Sequence, residues 1–118
     1  MIQEIKLKLG SEERRFTFGI IFLGNVLETL ELDYNSMLMK VSKNPFKYAP
    51  ILMTESLNNT ARKEGLDASF TLDSVVDWLE SEDVMGVDIM LKFIHAFIGT
   101  NDNPTPTEDS EEGDVKKK

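Results

Sequence analysis

These 118 residues carry 21 acidic side chains but one histidine and no cysteine, and their spacing argues against a reaction centre. His95 is the single histidine, and no carboxylate or thiol stands at ligand spacing beside it. A zinc site needs three or four donors and a general base needs a group to orient it, so His95 reads as the polar edge of a helix or a satisfied packing residue. Cysteine is absent, which removes a disulfide framework, a thiolate metal site and a thiol nucleophile together. Glu80, Glu82 and Asp83 bring oxygen ligands close in sequence, but no glycine-punctuated loop of the kind that wraps calcium surrounds them. They read as a solvated helix end. Neither a phosphate-cradling glycine loop nor a supported Ser-His-Asp set is present, so no enzymatic activity, cofactor or metal is expected.

Other chemical signals concern modification, membranes and nucleic acid. Asn58-Asn59-Thr60 matches a glycosylation acceptor, a pattern that matters only behind a secretory signal. The segment Met1-Ile2-Gln3-Glu4-Ile5-Lys6-Leu7-Lys8 alternates charge with apolar residues, unlike a signal or transit peptide. The longest mostly apolar stretch, Val84 to Ile98, carries Asp88 and Lys92 and is too short for a bilayer of roughly 30 Å. A cytoplasmic protein that engages no membrane is expected. Net charge is -8, so phosphate backbones would repel the chain unless basic residues were segregated. The candidates Lys6, Lys8, Arg14 and Arg15 interleave with Glu4, Glu12 and Glu13, which predicts cross-strand pairing on a solvated face and no nucleic-acid partner.

Asp73-Ser74-Val75 resembles the phosphopantetheine attachment triplet of acyl carrier proteins, Asp-Ser followed by an aliphatic residue at a helix start. That likeness implies an acyl-carrier-like protein modified at Ser74. Carrier proteins, however, resemble all-helical bundles without a leading hairpin, and their serine follows a more flexible loop than Phe70-Thr71-Leu72. Capping by Asp73 accounts for the same residues.

The elements that would position any site follow from hydrophobic period. Ile5, Leu7 and Leu9 alternate with Lys6 and Lys8, Gly10-Ser11-Glu12-Glu13 supplies a turn, and Phe16 and Phe18 alternate around Thr17. This predicts a β-hairpin with one apolar face. From Ile20 the period becomes helical, with Ile20, Leu23, Leu27 and Leu30 on one stripe and Val26 beside it. Asp33 or Asn35 caps a short helix through Met37, Leu38 and Val41, and Asn44-Pro45 opens a longer segment toward Glu64. Pro50 inside that segment predicts a turn and a fresh helix start near Ala49. Gly65 is placed as a left-handed stop, and Thr71 or Asp73 caps a helix that buries Val75, Val76 and Leu79, with Trp78 a further candidate for that side. A last helix is expected from about Val87 to Ile98, ended by Gly99.

Beyond Gly99, six acidic residues and three lysines place -3 of the net charge on 100–118, with Val115 the only large apolar residue. Such a segment cannot bury enough surface to offset its ordering entropy, so a disordered acidic tail is expected over 100–118. The expected fold class is α+β: one folded domain over 1–99, with an N-terminal β-hairpin followed by a small bundle of about four to five helices.

The order of Phe16-Thr17-Phe18-Gly19 running into a helix, then Asn44-Pro45-Phe46, then Phe70-Thr71-Leu72-Asp73-Ser74-Val75-Val76-Asp77-Trp78-Leu79, resembles the tail assembly chaperones of long-tailed phages and prophages. The resemblance covers about Ile5 to Gly99, and its motifs are caps, turns and core positions. It implies a non-enzymatic α+β protein of the host cell cytoplasm. Such a protein binds the tape measure protein before tail polymerisation and helps deliver the tail tube protein. A generic small protein-binding adaptor is the blander alternative.

Holding a long helical client requires exposed apolar surface. Met37, Met39, Met53, Met85 and Met90 are adaptable side chains of the kind such a surface uses, or core filler. The last helix carries more apolar residues than one stripe, from Val87 through Ile98, and the surplus must face the core, a partner or a second copy in self-association. The partner-binding candidates are accordingly Phe16 and Phe18 of the hairpin and Ile89, Phe93 and Phe97 of the last helix.

Overall fold

The computed structural model describes residues 4–82 and 84–101. It is α+β: strands β1 (Glu4–Leu9) and β2 (Glu12–Thr17) form an antiparallel hairpin, followed by helices α1 (Ile20–Leu30), α2 (Tyr34–Lys43), α3 (Pro45–Lys63), α4 (Leu72–Ser81) and α5 (Val84–Asn101). The register pairs Glu4 with Thr17 and Leu9 with Glu12 across the turn Gly10-Ser11. Both turn residues have positive φ, 66° and 68°, the pairing that a tight two-residue hairpin needs. Gly10 is required for space as well, because a Cβ there would lie 3.0 Å from the Trp78 ring.

Leu7, Leu9 and Phe16 are buried as the alternation predicts, while Lys6 and Lys8 stay exposed. Arg14 is not on a solvated face. Its guanidinium stacks 4.1 Å from the centroid of Trp78, and its Nε donates to the Leu9 carbonyl at 2.8 Å. The opposite side of β2 is covered by α3, where Thr17 N–H donates to Thr60 Oγ1 (3.1 Å), Ser56 Oγ to the Thr17 carbonyl (2.9 Å) and Asn59 Nδ2 to Thr17 Oγ1 (2.8 Å). Strand and helix are thus joined by buried hydrogen bonds whose polar atoms would otherwise be costly to bury. The Asn-Asn-Thr acceptor pattern has this structural role. Its first residue, Asn58, also clamps the backbone of Phe70 at 2.9 and 3.0 Å.

Helix α3 packs against β2, α1, α2, α4 and α5 and is the central strut. It runs unbroken through Pro50, against the expected restart near Ala49. Proline there removes a bond to the carbonyl of Phe46, which lies in the exposed first turn where water can serve it. Ala49, Leu52 and Met53, all fully buried, hold the helix on both sides of the proline. Pro45 occupies the first turn as expected, but the Asn44 side chain makes no capping hydrogen bond.

Gly65 ends α3 with φ 73°, and Leu66 N–H returns to the Ala61 carbonyl at 2.8 Å. Of the paired cap candidates, Asp33 and Thr71 act, accepting from Ser36 N–H (2.8 Å) and Ser74 N–H (3.2 Å).

Two further expectations are corrected. Helix α1 turns Phe22 and Val26 into the core and leaves Ile20 80% exposed, so the buried stripe is offset from the one that Ile20 would share with Leu23 and Leu27. Helix α5 starts at Val84 and continues through Gly99 to Asn101, because Gly99 keeps a helical rather than a left-handed backbone. Thr100 and Asn101 therefore belong to that helix, and the rest of the expected acidic tail lies outside the described residues. Where α5 begins, Gly86 lies so close to α4 that an added Cβ would press into the Leu79 carbonyl.

Candidate protein-binding surface

All five residues expected to meet a partner are brought together, but in the interior. Phe16, Phe93 and Phe97 are fully buried, Phe18 is 1% exposed and Ile89 7%. The Phe16 and Phe93 ring centroids lie 5.5 Å apart at 70°, Phe18 lies 5.5 Å from Phe93, and Phe22 meets Phe97 at 5.8 Å and 84°. Edge-to-face contacts of this kind favour a fixed core over a wet surface. Most of the surplus apolar residues of α5 are taken up by its place between the hairpin, α3 and α4, while Val87 stays 44% exposed. These five positions are corrected from client contacts to the platform that holds the helices.

The open apolar surface lies elsewhere. A cleft of about 320 Å³ separates the first half of α3 from α4, lined by Phe46, Pro50 and Ile51 on one side and Leu72, Val76 and Leu79 on the other, with Met90 of α5 between them. Phe46 is 50% exposed and Leu72 43%. Helical geometry explains the placement: residues 46 and 50, and residues 72 and 76, stand one turn apart on faces that adjoin the buried stripes of their helices. Lys47 and Glu80 line the same cleft from opposite helices. The cleft therefore has apolar walls and one charged residue of each sign at its edge, while Lys40 and Lys43 of α2 line a separate hollow with Ser36 and Met39.

Met90 is the methionine that reaches this cleft. Met37 and Met53 are fully buried, and Met39 and Met85 are exposed away from it.

A second cleft, of about 370 Å³, opens where β2, α3 and the loop before α4 meet, and both of its arginines, Arg14 and Arg15, are paired with glutamates. Arg15 contacts Glu4 and Glu64 at 2.6 Å each, and those hydrogen bonds, Glu4 first, hold its guanidinium above its ordinary pKa. It offers an incoming partner little free charge.

The remaining chemical candidates are distributed, not gathered. His95 is exposed on α5, and among the described residues no three His, Asp or Glu side chains come together as a metal site would require. Ser74 sits half-buried in the first turn of α4, with its hydroxyl 3.1 Å from Thr71 Oγ1. Among the described residues, no helix is long and apolar enough to cross a membrane.

Sequence reasoning did not find Phe46, Ile51, Leu72 or Val76 as a surface. The available signal was in α3, where Phe46, Pro50 and Ile51 add apolar character beside the stripe of Ala49, Leu52, Met53 and Leu57. The chain matches no model of a protein family, no curated protein sequence and no solved structure.

Proposed function

We propose that this protein holds another protein by an amphipathic helix laid into the cleft between α3 and α4, acting as a tail assembly chaperone for the tape measure protein and assisting assembly of the tail tube. The observation that carries the reading is the open apolar cleft itself, with Phe46 and Leu72 about half exposed and facing solvent. A helix with one apolar stripe would cover those walls, and acidic and basic residues on its two flanks would meet Lys47 and Glu80. The resemblance of the ordered motifs from Phe16 to Leu79 supplies the class of client. Grip through two partly exposed anchors is weak enough to be reversible, as a holding protein that must later leave requires.

Co-expression with a long helical tape-measure-like protein tests this. The expected outcome is a soluble complex that co-elutes on a sizing column. Changing Phe46 and Leu72 to serine together should cost about 2–3 kcal/mol of binding, roughly 30- to 150-fold in affinity, while the unfolding midpoint barely moves. A client that stays insoluble beside the wild-type chain, or a complex indifferent to the double variant, rules the reading out.

A further inference from the structure

The first turn of α1 is apolar all round. Phe22 is buried, but Ile20 is 80% and Ile21 66% exposed, the two most exposed large apolar side chains among the described residues. One turn on, Gly24 shares their outward face. A glycine within a helix weakens it relative to alanine, so its presence asks for a reason. The usual reasons are absent: Gly24 has no positive φ, and an added Cβ would meet nothing within 4 Å. Nothing among the described residues needs that position bare. A bulky pair beside a bare notch on one helix face is self-complementary.

We infer that this face of α1 pairs with the same face of a second copy, antiparallel about a two-fold axis, so that Ile20 of each chain seats on Gly24 of the other. Charge complementarity favours this occupant. The N-terminus of α1 begins at Gly19 with no side-chain cap and no acidic residue in its first turn, leaving its leading N–H groups without a carboxylate. In the antiparallel arrangement Glu28, exposed one turn beyond Gly24, comes beside that N-terminus of the second copy. Helical side chains lean toward their own N-terminus, which directs the Glu28 carboxylate back over those N–H groups. An isologous contact makes each such interaction twice. The face is one short helix, so the dimer is weak and reversible. It involves none of the residues lining the α3/α4 cleft, and the proposal stands or falls independently of the client reading.

Sedimentation equilibrium of the full chain from about 10 µM to about 1 mM, the range in which a small interface associates, reads the outcome. The expected mass rises with concentration from 13.4 kDa toward twice that value. Ile20→Ser with Ile21→Ser should abolish the rise, and Glu28→Gln should weaken association several-fold. Gly24→Ala is the discriminating variant. At low concentration it should raise the melting temperature by about 4 °C or more, because the methyl group fits the isolated chain and improves the helix. It should also weaken association by about tenfold, because the notch is filled. A mass that stays at one chain throughout overturns the inference and leaves a different protein as what covers this face. A dimer untouched by Gly24→Ala, or by the double serine variant, overturns it as well.

Discussion

Two apolar regions of similar composition meet opposite fates in this protein. Where β2, α1 and α5 converge, Phe16, Phe18, Phe22, Phe93 and Phe97 close on one another and exclude water. Between α3 and α4, Phe46, Ile51, Leu72 and Val76 leave a cleft open. The aromatic cluster is assembled from segments far apart in sequence, so each ring has partners on every side. The cleft lies between helices that touch through other faces, Asn58 holding the loop before α4 against α3 and Leu79 meeting α5 at Gly86. The difference teaches that surplus apolar character in a helix marks a binding surface only when no other element of the chain arrives to cover it.

Substituting one ring in each region tests that contrast most strongly. Phe93→Ala should cost about 3–5 kcal/mol in chemical denaturation, and Phe46→Ala less than about 1 kcal/mol. Client binding should show the reverse order of sensitivity in the folded variants. Equal stability losses would mean that the cleft is core and not surface.

A smaller effect is expected at the α4/α5 junction that gives the cleft its far wall. Gly86→Ala presses a methyl group into the Leu79 backbone and should destabilise by about 1–3 kcal/mol. Because α4 must move to admit it, affinity for a client should fall as well. An unchanged melting temperature would show that the two helices are not held at that distance.

The smallest effect concerns acid. Asp33 accepts the Ser36 backbone N–H, and that bond holds its carboxyl below the usual range. A lowered folded pKa stabilises fully above the unfolded value and is lost as pH falls through the folded value. Stability measured from about pH 5 down to about pH 2 should therefore fall less steeply in Asp33→Asn than in the wild type. Parallel acid limbs would show that the cap does not contribute to acid sensitivity.

Local features were legible because neighbouring residues decide them. A turn opening at Gly10-Ser11, a cap at Asp33 or Asn35 and at Thr71 or Asp73, Pro45 at a helix start and the left-handed stop at Gly65 each follow from backbone chemistry within a few residues, whereas the structure alone chose Asp33 and Thr71 and put Glu12 and Glu13 of the expected turn into β2. The α+β order of hairpin and helices follows from the change of hydrophobic period near Ile20. Local signals also misled: Pro50 and Gly99 are helix breakers by type, yet flanking burial carried α3 through the proline and the helical φ of Gly99 carried α5 past it.

Alternation and helical period already marked Leu7, Leu9, Phe16, Val75 and Leu79 for the interior, but which apolar residues of α1, α3 and α5 end up inside was decided by tertiary packing. Period shows that α5 has too many apolar residues for one stripe, but only the approach of the hairpin, α3 and α4 from different directions buries Ile89, Phe93 and Phe97. The same rule places Ile20, Phe46 and Leu72 in solvent, since hydrophobicity belongs to a side chain while burial depends on what the rest of the chain brings to it.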